Sequence, residues 1–300
     1  MPEEGIKYMP KKELLTYEEM ERIVTVMAQQ GVQKIRITGG EPFLRKGMLD
    51  FIGRLSSIEG IDQLNITTNG TLTKNLIPYF KMVGISSVNL SLDSLDPERF
   101  KDITRRDNFN EVMETFDLLM EHKIPTKINA VVMNGRNIDD LIPMVKLSEY
   151  YPISVRFIEE MPFNGTGKEA GLLWDYPKIL DHIKAHFPDL EKIKDPKHST
   201  SFNYKVPGFL GSIGIIAAYS RLFCGSCNRI RLTPQGMLKT CLYDDGVFNI
   251  KNLLRAGASD EQLKTTLIEA LNHRAKDGFE AEANRRLNLP VTESMATIGG

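Results

Sequence analysis

From Thr16 to Gln30 the apolar residues Met20, Ile23, Val24 and Met27 recur at helical spacing, and Gly31 ends the pattern. A short apolar-polar alternation follows over Lys34–Thr38, and then the turn Gly39-Gly40-Glu41-Pro42. The same alternation of periods continues along the chain. Helices are predicted over Met48–Ser57, Asn75–Met82, Asn110–His122, Asp139–Tyr150 and Trp174–Phe187, the third capped by Asn108 or Asn110. Strands are predicted over Gln63–Thr68, Ser87–Leu92, Lys127–Met133 and Val155–Glu159. Strands separated by helices in this rhythm form a parallel sheet with right-handed crossovers. On pattern alone, a doubly wound sheet and a partial barrel fit equally well. The rhythm stops in the glycine-containing stretch Pro162–Gly171, and the polar segment Asp189–Lys205 reads as a linker or surface excursion. Beyond it, a near-apolar run over Val206–Tyr219 and a late helix over Asp260–His273 belong to a second, smaller domain or a lateral extension of the sheet.

Composition narrows the class. With 300 residues, 41% of them hydrophobic, the chain can bury a large core. A net charge of −1 provides no global field toward nucleic acid or an anionic membrane. Met1-Pro2-Glu3-Glu4-Gly5 has neither the basic nor the apolar region of a secretory signal, and Val206–Tyr219 is too short and too rich in glycine to cross a membrane. The expectation is a cytoplasmic protein with no nucleic-acid or membrane partner.

All three cysteines lie close together, as Cys224-x-x-Cys227-x13-Cys241. A disulfide would leave one thiol over, so the grouping points to a metal or an iron–sulfur site. A closed zinc site needs a fourth ligand, and the nearest histidines in sequence are His198 and His273. Three thiolates can instead hold a cubane cluster whose fourth iron is open to another ligand. Arg229 and Arg231 set two cations beside the cysteines at strand spacing.

Ligands of parallel α/β folds bind at the carboxyl ends of the strands. Those ends carry Thr38, Thr67-Thr68-Asn69, Ser91, Asp93, Asn129 and Glu159-Glu160-Met161, small or polar residues rather than core aliphatics. Cations also sit inside strands, at Arg36, Lys127 and Arg156. Period-two alternation puts Arg36 on one face with Thr38, and Lys127 with Asn129. An unpaired charge on a buried face costs several kcal/mol, so each must meet an anion. Singly, each cation has an ordinary carboxylate partner to hand in Asp93, Glu159 or Glu160. Together they favour a polyphosphate ligand, although the chain has neither a Walker sequence nor a G-x-G-x-x-G. Gly39 and Gly40 let backbone approach a ligand closely, and Glu41 either accepts from an ammonium group or caps the next helix.

Thr38-Gly39-Gly40-Glu41-Pro42 resembles the GGEP motif of radical S-adenosylmethionine (SAM) enzymes. With Cys224/Cys227/Cys241, Asn228-Arg229-Ile230-Arg231 and the terminal Ile298-Gly299-Gly300, the whole chain resembles the GTP 3′,8-cyclase family of molybdenum cofactor biosynthesis. The resemblance implies an α/β fold: a partial (β/α)6 TIM-type barrel, its first strand missing here, with a carboxyl-terminal α+β extension carrying a [4Fe-4S] cluster. It divides the chain into residues 1–190, a radical-SAM-like partial barrel, and 191–300, an auxiliary-cluster and substrate-binding region. It assigns S-adenosylmethionine to Gly39, Gly40, Glu41, Ser91 and Met161, and the auxiliary cluster to Cys224, Cys227 and Cys241. GTP falls to Arg36, Thr67, Lys127, Arg156, Arg229, Ile230 and Arg231, with Lys34 beside the phosphates. Catalytic roles fall to Arg229, Arg231 and the tail glycines Gly299 and Gly300.

In intact members, the resemblance implies, a second [4Fe-4S] cluster on an amino-terminal C-x3-C-x2-C passes an electron to S-adenosylmethionine. The resulting 5′-deoxyadenosyl radical takes the 3′ hydrogen of GTP, and the ribose radical attacks C8 of guanine. The product passes to the cyclic pyranopterin monophosphate synthase, and the enzyme is a homodimer. This chain has no C-x3-C-x2-C and no ligands for that second cluster. The expectation is an amino-terminally truncated chain that is inactive alone. A peptide-modifying radical enzyme with an auxiliary cluster and a non-catalytic nucleotide- or metal-binding remnant are the alternatives.

Overall fold

The computed structural model describes residues 10–161 and 172–284. The predicted loop at 162–171 and both chain ends lie outside the described residues. Two compact units are present. The first is made of the described residues within Asn65–Pro162 and Lys168–Cys227, and the second of those within Pro2–Leu64 and Asn228–Gly300.

The second unit opens with α1 (Tyr17–Gln29), whose Thr16 cap and Glu19 form a reciprocal capping box. Next come β1 (Lys34–Ile37) and α2 (Met48–Ser56). Strand β2 (Gln63–Thr68) begins here, and from Asn65 onward it belongs to the first unit.

Three parallel strands of the first unit follow: β3 (Ser87–Ser91), β4 (Thr126–Val132) and β5 (Ser154–Glu159). Helix α3 (Ile77–Met82) precedes β3, and α4 (Pro97–Thr104), α5 (Phe109–Glu121) and α6 (Leu141–Tyr150) run between the three strands. Asn108 stands at the start of α5, but its side chain makes no capping bond. Helix α4 has no counterpart among the predicted elements. It is short and largely polar, and its signal is Asp96-Pro97, with the Asp96 carboxylate accepting from the Arg99 amide. Helix α7 (Tyr176–His186) is capped by Asp175.

The segment Asp189–Lys205 is not a linker. It supplies β6 (Glu191–Lys192) and β7 (Phe202–Lys205), which run antiparallel to each other, and β7 runs antiparallel to β8 (Ser212–Ile216). Strand β8 lies parallel beside β5, so the first unit's strands run β2-β3-β4-β5-β8-β7-β6. The expected lateral extension of the sheet is therefore real, and the polar composition of β6 and β7 had hidden it. Strand β6 is the edge of the sheet, two exposed charged residues that read as loop, and β7 beside it is only four residues long.

One face of this sheet is largely apolar. Leu90, Ile128, Ala130, Val155, Phe157, Ile213 and Ile215 pack there with Val112 and Phe116 of α5, Met144 and Val145 of α6, and Ile179 and Ile183 of α7. Each such fully buried side chain contributes about 1.5–3 kcal/mol relative to exposure.

The rest of the second unit is β9 (Arg231–Leu232), β10 (Met237–Lys239) and β11 (Phe248–Asn249), an antiparallel sheet in the order β11-β10-β9, then α8 (Ile250–Arg255), α9 (Asp260–Asn272) and α10 (Gly278–Ala283). Its core joins Leu15, Ile23 and Val26 to Leu238, Ile250, Leu263 and Leu267. Among the described residues no helix is long and apolar enough to cross a membrane.

The entry into β8 is tightly constrained. The Gly211 amide donates to the Ser148 carbonyl at 2.7 Å. A Cβ on Gly211 would fall inside van der Waals contact with the Ile153 carbonyl oxygen and 2.8 Å from that of Tyr151. Both obstacles are backbone and cannot rotate away. Gly211→Ala is therefore expected to destabilise the protein by about 1–3 kcal/mol, an overpacking cost read as a lowered urea midpoint.

Candidate active site

The face of the first unit's sheet opposite its apolar core is polar and half-buried, and strand register sorts its side chains into two rows. One row runs Thr67, Asn89, Lys127, Ser154 and Ser212 across β2, β3, β4, β5 and β8. The next runs Ser91, Asn129, Arg156 and Gly214. Parallel neighbours in register point to the same face about 4.8 Å apart, so these are side-by-side groups. Burial follows the same period: in β4, Lys127, Asn129 and Val131 are half-buried while Thr126, Ile128, Ala130 and Val132 are buried. Gly214 leaves room for its neighbour, because a Cβ there would stand 3.2 Å from Arg156 Cγ. Ser91 is exposed at the end of β3, and Met161 is half-buried just past β5.

Two acceptors on this face stand out. The side-chain oxygens of Asn89 and Asn129 are buried and have no hydrogen-bond partner among the described residues. Such orphaned buried groups are rare and cost about 1–3 kcal/mol each unless a ligand or water fills the need. Asn129 had been picked out as Lys127's companion on the face. Asn89 had not been singled out. Its sequence signal was its place two residues before Ser91 on one strand face.

The loops at the carboxyl ends of β3 and β4 are stapled to each other. The Asp93 carboxylate accepts from the Val131 amide at 2.8 Å, and the Asn137 amide group donates to the Asp93 and Val131 carbonyls at 2.8 Å each. Asp140 accepts from the Leu95 amide at 2.9 Å and pairs with Arg99. At the end of β5, buried Glu159 accepts from the amides of Tyr176 and Ser220, both at 2.7 Å, and from the Ser220 hydroxyl at 2.8 Å. Glu159 is thus engaged by two distant segments of the chain.

Cys224 and Cys227 end the first unit. They flank a single turn, Cys224–Ser226, in which the Cys227 amide donates to the Cys224 carbonyl at 3.1 Å. Both thiols are half-buried and outside any disulfide.

In the second unit, Arg36 is half-buried on β1 and Lys34 is exposed. Gly39 has φ +146°, a conformation that favours glycine, and Gly40 is exposed. Glu41 is buried and caps the turn Pro42–Leu44, accepting from the Phe43 amide at 3.4 Å. Of its two sequence readings, capping is the one seen. Arg229 is exposed, Ile230 packs against the unit's core, and Arg231 sits in β9 opposite Lys239 of β10. Cys241 is also half-buried and outside any disulfide, and its sulfur accepts from the Tyr243 amide at 3.5 Å. Asp244 folds this corner by accepting from the amides of Thr240 and Cys241 at 2.8 and 2.7 Å. Lys239, two residues before Cys241, is only 1% exposed. That buried ammonium is a feature the sequence reading passed over, since one lysine at a strand end looks like a solvated one. Gly299 and Gly300 lie outside the described residues.

Iron–sulfur chemistry can be tested against these donors. None of the three thiols is in a disulfide, two of them lie on a preformed Cys-x-x-Cys turn, and the third has an amide aimed at its sulfur, the kind of bond that tunes a cluster thiolate. The donor chemistry fits. Among the described residues, no three His, Cys, Asp or Glu side chains form a ready-made metal-binding group.

Comparison with known proteins defines the class. Residues 3–148 match the Radical SAM superfamily, and residues 153–279 match the Molybdenum Cofactor Synthesis C family. Streptococcus suis SuiB bound to S-adenosylmethionine has a similar fold, with a TM-score of 0.58 at 13% identity over 84% of this chain and 60% of that one. This is a radical-SAM-type α/β fold with a mostly parallel sheet. Among relatives, the GTP 3′,8-cyclase of Syntrophomonas wolfei is 38% identical over 96% of this chain and 90% of its own length. Molybdenum cofactor biosynthesis protein 1 of Bos taurus is 40% identical over 92% of this chain, which spans 44% of that protein's length. The chain belongs to the GTP 3′,8-cyclase family of the radical SAM superfamily.

Burial pushes the Asp93 carboxyl up from its ordinary 3.8 to about 6, against the Val131 amide, which favours the charged form. The folded value exceeds the unfolded one, so this group's stabilising contribution is complete below about pH 3.8 and is lost as pH rises through about 6. Asp93→Asn keeps an oxygen for the Val131 amide and removes the ionisation. Its unfolding free energy is expected to fall less than the wild type's between pH 4 and pH 6, about the interval that separates the two values.

Proposed function

We propose that this chain binds GTP and S-adenosylmethionine and takes part in converting GTP to (8S)-3′,8-cyclo-7,8-dihydroguanosine 5′-triphosphate, the first step of molybdopterin formation. The observation that carries this reading is the polar sheet face, where cations, hydroxyls and two orphaned amide oxygens stand side by side on registered strands. A nucleotide triphosphate has the anions and donors such a face needs, and an apolar ligand would leave its amides unsatisfied.

On this reading residues 1–190 form a partial (β/α)6 barrel and 191–300 the auxiliary-cluster and substrate-binding region. Arg36, Lys127 and Arg156, with Lys34, neutralise the triphosphate, and Thr67 adds a hydroxyl. Ser91, Met161 and the Gly39-Gly40-Glu41 turn take S-adenosylmethionine. Cys224, Cys227 and Cys241 hold a [4Fe-4S] cluster that anchors the guanine, beside Arg229, Ile230 and Arg231. When bound, the iron–sulfur and S-adenosylmethionine cofactors supply the electron and the radical chemistry. The chain's own residues hold the ribose within reach, a proximity effect, and Arg229, Arg231, Gly299 and Gly300 act nearest the reacting sugar and base. A homodimer in the cytoplasm that hands its product to the cyclic pyranopterin monophosphate synthase completes the proposal.

Anaerobically reconstituted chain is expected to hold about four irons and no zinc, and Cys224→Ser should abolish the loading. One zinc and no iron would overturn the cluster assignment. Arg231→Ala is expected to weaken GTP binding about 10- to 100-fold in calorimetry, equivalent to losing one charged hydrogen bond of about 1.5–3 kcal/mol. S-adenosylmethionine binding should be unchanged, and equal loss of both would count against the assignment of Arg231 to GTP.

A further inference from the structure

The segment Asp195–Asn203, part of the stretch that reads in sequence as a linker or surface excursion, meets at its tip the turn that carries Cys224 and Cys227. His198 at its tip has φ +60°, a left-handed conformation uncommon for a residue with a side chain. Its ring Nδ1 lies 2.8 Å from the carbonyl oxygen of Ser226. A carbonyl only accepts, so Nδ1 carries the proton and, in the neutral ring, Nε2 does not.

The segment behind His198 is braced. The Asp195 carboxylate accepts from the Asn203 backbone amide at 2.8 Å and from its side-chain amide at 2.9 Å, and it pairs with Lys192 at 2.7 Å. The Ser201 hydroxyl donates to Asn203 at 2.9 Å, and the Ser199 hydroxyl donates to the Ser201 carbonyl at 2.8 Å. Thr200, Ser201 and Asn203 are buried, whereas His198 is exposed. A cavity of about 180 Å³ is lined by His198, Ser199 and Phe202 from this segment and by Leu222, Phe223 and Ser226 from the cysteine turn. His198 thus reaches from a firm base to the Ser226 carbonyl.

That carbonyl belongs to the Ser226–Cys227 peptide. The peptide's other end, the Cys227 amide, already donates to the Cys224 carbonyl at 3.1 Å. With both ends held, the plane of the peptide is set, and with it the direction in which the Cys227 Cα–Cβ bond leaves the turn. The turn is also entered from a left-handed residue, Arg221 at φ +56°, whose carbonyl accepts from the Cys224 amide. Backbone strain at two points flanking a two-thiol chelate is sustained only where the surroundings over-determine it.

We propose that His198 is a positioning residue for the iron site: its Nδ1–H bond to the Ser226 carbonyl orients the Cys224/Cys227 chelate and slows the loss of iron. The inference rests on the reading that these thiols hold a cluster. One solvent-exposed hydrogen bond adds little to global stability. Partners of this outer kind nevertheless change metal affinity about 10- to 100-fold, because they fix the geometry of the ligands they touch.

The test compares His198→Ala with His198→Asn in the anaerobically reconstituted full chain. Asparagine keeps an N–H donor close to the Nδ1 position and tolerates positive φ, whereas alanine keeps only the backbone. Iron release to a chelator is followed by absorbance, the reduction potential of the bound cluster is recorded, and thermal midpoints are taken for both variants. His198→Ala is expected to release iron about 10-fold faster or more, with His198→Asn close to the wild type and the two midpoints alike. In the iron-free chain, amide exchange at Cys227 should rise in His198→Ala and not in His198→Asn. A release rate in His198→Ala equal to the wild type's, or equally fast release from both variants, overturns the proposal while leaving the cluster reading intact. A wild-type chain that takes up no iron, or whose iron is unchanged by Cys224→Ser, overturns the cluster reading and the proposal with it.

Discussion

A polar side chain on the face of a parallel strand has few places to go. Its own backbone is committed to the ladder, its neighbours in register point the same way, and water reaches it only if that face stays open. The first unit depends on this constraint. One face of its sheet is sealed by α5, α6 and α7 over a continuous apolar core, so every polar residue of the alternate set faces the opposite side. Lys127, Asn129 and Arg156 stand there because the ladder register leaves them nowhere else, and Asn89 and Asn129 hold acceptors that no other described residue satisfies.

The loops above that face are held by side chains rather than by further secondary structure. Asp93, Asn137 and Asp140 bind the ends of β3 and β4 to each other, and Glu159 gathers the amides of Tyr176 and Ser220 at the end of β5. A carboxylate accepting backbone amides fixes a loop without a long buried contact, which suits the rim of a ligand site. In the second unit Asp244 does the same around Cys241, so that the corner carrying this thiol is shaped before any ligand arrives. The Cys224–Ser226 turn is preformed in the same sense.

Much of this was legible in the residue pattern. The strands from Gln63 to Glu159 were predicted to within a residue at each end, because a strand buried on one face shows a period of two that no helix imitates. The capped helices α1 and α9 were legible for a similar reason, each opening on a Thr or Ser with Glu or Gln three residues on. Helix α4 escaped because it buries one aromatic, Phe100, too little for a periodic signal. Strands β6 and β7 escaped because β7 takes its apolar neighbour from β8 and β6 pairs only with β7, at the edge of the sheet.

The chemistry divides along the same line. Residue types and spacing were enough to group three thiols, to set Arg229 and Arg231 beside them, and to place cations on alternate strand positions, since all of these are local relations along one chain. Tertiary structure alone decided which amide oxygens would be buried without partners, that Lys239 would be sealed inside the second unit, and that His198 would meet the Ser226 carbonyl. Burial and long-range hydrogen bonds depend on what other segments cover or reach, and for Ser226 the covering residue comes from 28 positions away. No local period encodes that distance.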